Sequence, residues 1–445
     1  MTDIEALIRR RRRSNSLSLA QQLLGAETDG IAFVFSDQSV VIKDTTTPAN
    51  AYASRGIIGG GLPTGPGGKL TYTSPSAKWL RQSDGNYRYN AHNLYLNSEA
   101  PANQSVTVQS GADYTLILTG SISVTLSGAA TGVKTAGTFQ FTAASGTLTF
   151  GSTSGAGTVH LRRTNSNTDY IKTTSAALYA LPYEWDVNGN CLGVLPENAA
   201  TNLVLNSDAP VTQNVTTSAT TYVVSFWGTG TVTLSGTSTA GPLVGTGAND
   251  RVSLSFTATA GTLTLTVSGS VSRLQCETGA MTSYIQTFGA TATRAVDQIF
   301  INKALFPVSA TGLMMFAQFS AKAFPAARYV CFGNAAQTAY FDIVHNINNQ
   351  VRASTDGTNG GSISAFTAYT SGTVKSAISI KLNEFRQAVN GVASTPDLVC
   401  TVPNPDNLYI SGRIANFGAM NQHIQKVMLL PRSAVDQAEV TALTV

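Results

Sequence analysis

Apolar and polar residues alternate over short windows along most of the chain, as in Tyr114-Thr115-Leu116-Ile117-Leu118 and Val252-Ser253-Leu254-Ser255-Phe256. Period-two alternation broken by turn residues every ~8–12 positions predicts antiparallel strands with one face on a core. Further runs at Ile31–Phe35, Ser39–Ile42, Gly312–Phe319, Tyr329–Phe332, Ala339–His345, Val374–Leu382, Asn407–Ser411 and Ile424–Leu430 read the same way. Two segments depart from this. Near the start, Thr2-Asp3-Ile4-Glu5 is a capping box, Ile4, Leu7 and Ile8 follow at helical spacing, and a second cluster from Leu17 to Leu24 stops at Gly25. Near the end, Ser433 is expected to cap a short helix over Ala434–Leu443, with Asp436 in support.

The chain also repeats itself. His92-Asn93-Leu94-Tyr95-Leu96-Asn97-Ser98 aligns with Thr201-Asn202-Leu203-Val204-Leu205-Asn206-Ser207, and Ser123–Gly128 aligns with Thr231–Gly236. Gly146–Thr149 then matches Gly261–Thr264, and Asp169-Tyr170-Ile171 matches Ser283-Tyr284-Ile285. The offset drifts only from about 109 to about 115 residues, so two copies of one domain are present, far longer units than a β-helix coil of ~20–30 residues. Each copy is entered through a tight-turn segment flanked by aromatics: Ser83–Asn86 between Tyr87, Tyr89 and what precedes them, and Asp186–Asn190 after Tyr183 and Trp185.

These patterns predict an all-β protein of tandem antiparallel β-sandwiches, two jelly rolls and a larger terminal sandwich, behind a short N-terminal helix. The expected divisions are a helical, Arg-rich anchor at 1–30, a strand and loop connector at 31–91, sandwich repeats at 92–180 and 181–295, and a final sandwich at 296–445. The Gly59–Gly68 stretch fits a connector, because it lacks the residues of a phosphate loop.

Composition narrows the function. A chain of 445 residues accommodates about three modules, and only 12% of it is charged, about half the usual share. Five cations, Arg9, Arg10, Arg11, Arg12 and Arg13, account for more than the whole net charge of +4, so no broad basic face remains for a nucleic acid. Cys191, Cys276, Cys331 and Cys400 form no C-x-x-C pair and are expected to be reduced. No apolar run of ~18 residues marks a membrane span, and no signal peptide is read.

The phrase Tyr183-Glu184-Trp185-Asp186-Val187-Asn188-Gly189-Asn190, running through Gly193-Val194-Leu195-Pro196-Glu197 to Thr201-Asn202-Leu203, resembles a junction in bacteriophage virion proteins that carry lectin-like modules. Phe288–Asp297 resembles the exit from such a module, and Asn383–Gly391 with Pro431-Arg432 and the closing helix is similar to a concanavalin A-like (laminin-G-type) sandwich. The resemblance, over residues 70–445, implies a tail fibre or a neck or head spike. It further implies a homotrimer. The stripe Ile4, Leu7 and Ile8 with the run Arg9–Arg13, which the resemblance does not cover, is read from its own pattern as an anchor that docks against portal, tail or capsid proteins. The protein would be made in the host cytoplasm and displayed outward for attachment to host-surface polysaccharide. A capsule or cell-wall glycan depolymerase, or a collar or decoration protein that binds no sugar, are the alternatives.

Little catalytic chemistry is legible. The histidines are isolated, no G-x-S-x-G elbow occurs, and no metal site or cofactor is expected. For glycan binding, an aromatic face beside planar polar groups is needed. Tyr222 and Trp227 in the second repeat, and Tyr340, Asp342, His345 and Asn346 in the last domain, are the candidates.

Overall fold

The computed structural model describes residues 19–45, 52–55, 70–73, 77–305, 308–321, 328–334, 339–345, 348, 350–355, 362–363, 368–404, 406–411 and 421–445. Among them the protein is all-β, with antiparallel sheets and two six-residue helices, Leu19–Leu24 and Gln437–Ala442.

The terminal sandwich has two sheets. One is ten-stranded and runs Tyr52–Arg55, Ser39–Lys43, Gly30–Val34, Ile424–Leu430, Gly312–Ser320, Thr373–Lys381, Glu384–Val389 and Val392–Ala393. The hairpin Tyr183–Trp185/Cys191–Val194 completes it through Val194 opposite Ile424. The other, seven-stranded, runs Ser362–Ile363, Val351–Thr355, Tyr340–His345, Arg328–Gly333, Asn407–Ser411, Gln298–Asn302 and Leu70–Thr73. Ile31, Phe33, Met315 and Phe319 of the first sheet meet Ile299, Phe332, Phe341 and Leu408 of the second in one core. The outer face of the ten-stranded sheet is apolar as well, with Ala32, Val34, Phe316 and Met428 covered by Leu24 and Val440 of the two helices.

Two expectations change here. The described strands within 31–91 are not a connector, while the Gly59–Gly68 stretch lies outside the described residues. Ile31–Val34 pair with Lys426–Leu429, and Leu70–Thr73 pair with Gln298–Ile301, so segments before and after the repeats build one sandwich and the two repeats are inserted into it. Strand partners this far apart leave no local pattern, so alternation alone does not reveal the pairing. The last helix begins later than expected, since Asp436 Oδ1 accepts from Glu439 N at 2.9 Å and is itself the cap.

The repeats share one topology. In the first, the single strand Asp113–Gly128 passes through both layers, pairing with Val159–Arg163 along its first half and Thr147–Ser154 along its second. In the second repeat the same path is two strands, Thr221–Gly228 and Thr231–Gly236. Glycine sits at each crossing: Gly120 at φ 70° and Gly228 at φ 128°, where a Cβ would lie 2.2 Å from Ala156 O and 2.1 Å from Ser270 O.

The repeated asparagine explains the strongest sequence match. Asn93 Nδ2 donates to Val159 O and Ile171 O, while its Oδ1 accepts from Tyr95 N and Leu161 N. Asn202 makes the same four bonds, to Leu274 O, Ile285 O, Val204 N and Cys276 N. The repeated serines do likewise: Ser98 bonds Thr173 and Tyr170 OH, and Ser207 bonds Thr287 and Tyr284 OH. The shared phrase is therefore a structural clasp between the entry and exit of each roll.

A buried charge network ties the second roll to the sandwich. Lys78 pairs with Asp297 and, at 3.1 Å, with Glu197, and Arg294 lies 3.3 Å from Glu197. Glu197 also accepts from Ser283 N and Oγ at 2.6 Å, and Asp297 accepts from Glu197 N at 2.6 Å and Tyr72 OH at 3.1 Å. Two cations face two carboxylates, so the buried charges balance. Burial alone would raise the Glu197 pKa, but Arg294 and Lys78 outweigh it and hold the carboxyl at about 2.

Candidate functional site

The residues nominated from the sequence are mostly core. Tyr222 is buried against Phe256, ring centroids 6.0 Å apart, and its hydroxyl accepts from Ser218 N at 3.0 Å. Trp227, 1% exposed, lies edge-on to Tyr87 and Tyr284 beneath the Arg251 guanidinium. Asp342 accepts from Ser354 Oγ at 2.6 Å, and the His345 ring is held between Tyr369 O and Gln422 Nε2, both residues being buried. Tyr340 is half-buried at the start of its strand, and Asn346 lies outside the described residues, as do Ile4, Leu7, Ile8 and Arg9–Arg13. The reason is positional. Thr221–Gly228 is the central strand of its sheet and Tyr340–His345 lies inside the seven-stranded one; both are covered on two faces, so alternation does not leave every second side chain in solvent.

An open, aromatic-lined site occurs elsewhere, at the seam between the two rolls. The hairpin Trp79–Arg81/Tyr87–Tyr89 is wedged there, with Trp79 bridged to Tyr284 of the second roll and Tyr89 to Ser166 of the first. Trp79 and Tyr89 pack edge to face at 4.9 Å, and with Trp227 and Tyr284 they form a separate apolar cluster. Beside them opens a cleft of about 400 Å³, lined by Tyr89, Tyr114, Tyr179 and Tyr284 with Gln109, Arg163, Gln286 and Arg294. A smaller hollow of about 80 Å³ adjoins it, sharing Tyr89, Tyr284, Arg163 and Gln286 and adding Trp79, Asp113, Asn165, Asp208 and Arg273.

Polar groups here cross from roll to roll. Arg163 donates to Gln109 Oε1 at 3.0 Å, to Tyr89 OH at 3.4 Å and to Gln286 Oε1, and its guanidinium stacks over the Tyr89 and Tyr114 rings. Gln109 Nε2 donates to Gln286 O at 3.0 Å, and Tyr284 OH to Asp208 Oδ1 at 2.6 Å. Burial raises the pKa of Tyr89 and Tyr284, so both phenols keep their protons. Planar amides, a guanidinium and tyrosine edges are the groups that hold a hydroxyl-rich ligand with one apolar face.

A third hollow, about 410 Å³, lies on the sandwich side of Trp79, lined by Arg81, Tyr87, Met281 and the pair His423 Nε2–Glu184 Oε2 at 2.8 Å. Among the described residues, no group of three His, Cys, Asp or Glu side chains is placed to hold a metal ion, and no helix is long and apolar enough to cross a membrane.

Sequence reasoning missed the seam because its parts lie far apart in the chain. One signal was available: Tyr170 and Tyr284 align in the two repeats, and both donate into or accept from the repeated serine.

No family model matches the chain, and no curated protein matches it. Solved structures are similar over parts of it. The CBM40 of Ruminococcus gnavus IT-sialidase, bound to α2,6-sialyllactose, is 12% identical over 31% of this chain and 85% of its own, with TM-score 0.26. Domain 4 of AbnA, a GH43 extracellular arabinanase from Geobacillus stearothermophilus in complex with arabinotriose, is 13% identical over 38% of this chain and 83% of its own, with TM-score 0.29. The NanB sialidase of Streptococcus pneumoniae is 15% identical over 33% of this chain and 26% of its own, with TM-score 0.24. Likenesses this weak carry no inference about a ligand.

Proposed function

We propose that the chain is a bacteriophage virion structural protein, a tail fibre or neck or head spike, that displays glycan-binding β domains for attachment to the host surface. The observation that carries the glycan part is the seam, where tyrosine rings, two glutamines and Arg163 converge on a cleft of about 400 Å³. The virion part is supported by the sequence resemblance at Tyr183–Leu203 and by a body whose lobes are locked to one another. Affinity in such an appendage would come from several copies engaging a polymeric surface at once, which fits a homotrimer. In this reading the protein binds and does not cleave.

Immunogold microscopy of purified particles with antibody against residues 296–445 tests the location. Label at one fixed tail, neck or head position is the expected outcome, and bare particles would overturn it. Retention of the full chain on host-surface polysaccharide, lost in Tyr284→Ala, tests the binding; release of reducing ends would instead favour a depolymerase. Light scattering should give three times the chain mass.

A further inference from the structure

We infer that the ligand of the seam carries a carboxylate, read by Arg163 of the first roll and Arg273 of the second. This rests on the reading of the seam as a sugar site and names the class of sugar.

Both guanidiniums line the smaller hollow, and each stacks on one ring of the same edge-to-face pair, Arg163 over Tyr89 at 4.8 Å and Arg273 over Trp79 at 5.2 Å. Neither makes a salt bridge with a described residue. Among the described residues, Arg163 donates to the neutral oxygens of Gln109, Tyr89 and Gln286, and Arg273 is engaged by the Trp79 ring. The larger cleft is lined by Arg163 and Arg294 and by no carboxylate. Asp113 and Asp208, which line the smaller hollow, are already served: Thr142 Oγ1 donates to Asp113 at 2.6 Å, and Tyr284 OH and Gln286 Nε2 donate to Asp208. The remaining N–H groups of Arg163 and Arg273 are charged donors, which an anionic oxygen accepts more strongly than a neutral one.

Backbone geometry points the same way. Arg273 has φ 51°, a left-handed conformation rare for a long side chain, at a bulge where Arg273 and Leu274 face the single residue Phe226. A bulge re-aims a side chain, and here it sends a half-buried cation over Trp79 at the seam. A planar carboxylate is the natural partner, because it accepts two parallel N–H bonds from a guanidinium.

The test is a glycan array carrying carboxylated saccharides and their carboxyl-reduced, neutral counterparts, probed with the full chain. Selective retention on the carboxylated set is expected, weakening as salt rises. Arg273→Gln should lose at least tenfold in apparent affinity for that set, while Lys172→Gln, a change at an exposed pair with Glu99, should not. Arg163→Lys, which keeps the charge but not the fork, should lose part. Equal retention of neutral and carboxylated forms overturns the inference and leaves the seam a sugar site. Carboxylate-selective retention unchanged in both arginine variants also overturns it. Retention of neither form overturns the glycan reading and the inference together.

Discussion

At the scale of single residues, the buried polar groups decide more than the buried apolar ones. Asn202 uses its full hydrogen-bonding capacity inside the second roll, so Asn202→Asp removes two donors and leaves Leu274 O and Ile285 O unpaired beside a buried charge. The expected loss is about 3 kcal/mol of roll stability by urea titration; a loss below a few tenths would mean the clasp is incidental. His92 carries the acid sensitivity. Its Nε2 accepts from Arg163 N at 2.9 Å and its Nδ1 meets Asn90 O at 2.8 Å, a pattern that only the neutral ring satisfies. Burial lowers its pKa to about 3 and that of His160 to about 4. A folded value below the ordinary 6.5 means that the unfolded chain binds the proton first. Stability is therefore full above pH 6.5 and falls as the pH drops toward 4. At pH 5 each histidine costs about 2 kcal/mol, and calorimetry should show the first roll's transition moving down across that window, less so in His92→Gln.

At the scale of elements, legibility followed sequence separation. The repeat, the two aromatic hairpins and the strands of the last domain were readable because each is a local pattern. Ile31–Phe35 was readable as a strand but not as a partner of Ile424–Leu430, since nothing in alternation names the neighbour. The same limit hid the seam, whose arginines, Arg163 and Arg273, are ordinary strand residues until the topology brings two rolls together. It also made Tyr222 and Trp227 look available, because a central strand covered on both faces still carries turn signals at its ends. Two predictions belong here. Gly228→Ala would place a Cβ 2.1 Å from Ser270 O at φ 128°, and should lower the melting temperature of the second roll by several degrees. A chain starting at residue 92 would leave the Ile424–Leu430 edge and the Phe33 side of the core uncovered. It should aggregate on expression, whereas a true connector could be removed without effect.

At the scale of the whole molecule, the question is whether three lobes move as one. The sandwich contains both ends of the described chain, so the rolls hang from it through the segments at Lys78, Leu195–Glu197 and Arg294–Asp297, and the charged quartet sits where these segments meet. A buried network is weak evidence of net stability, because desolvation offsets most of the attraction, but removing one member leaves an uncompensated charge. Glu197→Gln leaves Lys78 with Asp297 and deprives Arg294 of the carboxylate it pairs with among the described residues. The expected cost is about 3–5 kcal/mol, concentrated at the junction. Its signature is separation of the calorimetric trace: where the parent chain couples the second roll to the sandwich, the variant should melt them apart, and proteolysis should cut between residues 194 and 201. The acid behaviour distinguishes the junction from the histidines. The Glu197 carboxyl, at about 2, lies below its ordinary 4.5, so its contribution is whole above pH 4.5 and is lost only as the pH falls toward 2. Acid should therefore loosen the first roll first and uncouple the lobes later, and a single concerted collapse near pH 6 would show that the junction does not hold the molecule together.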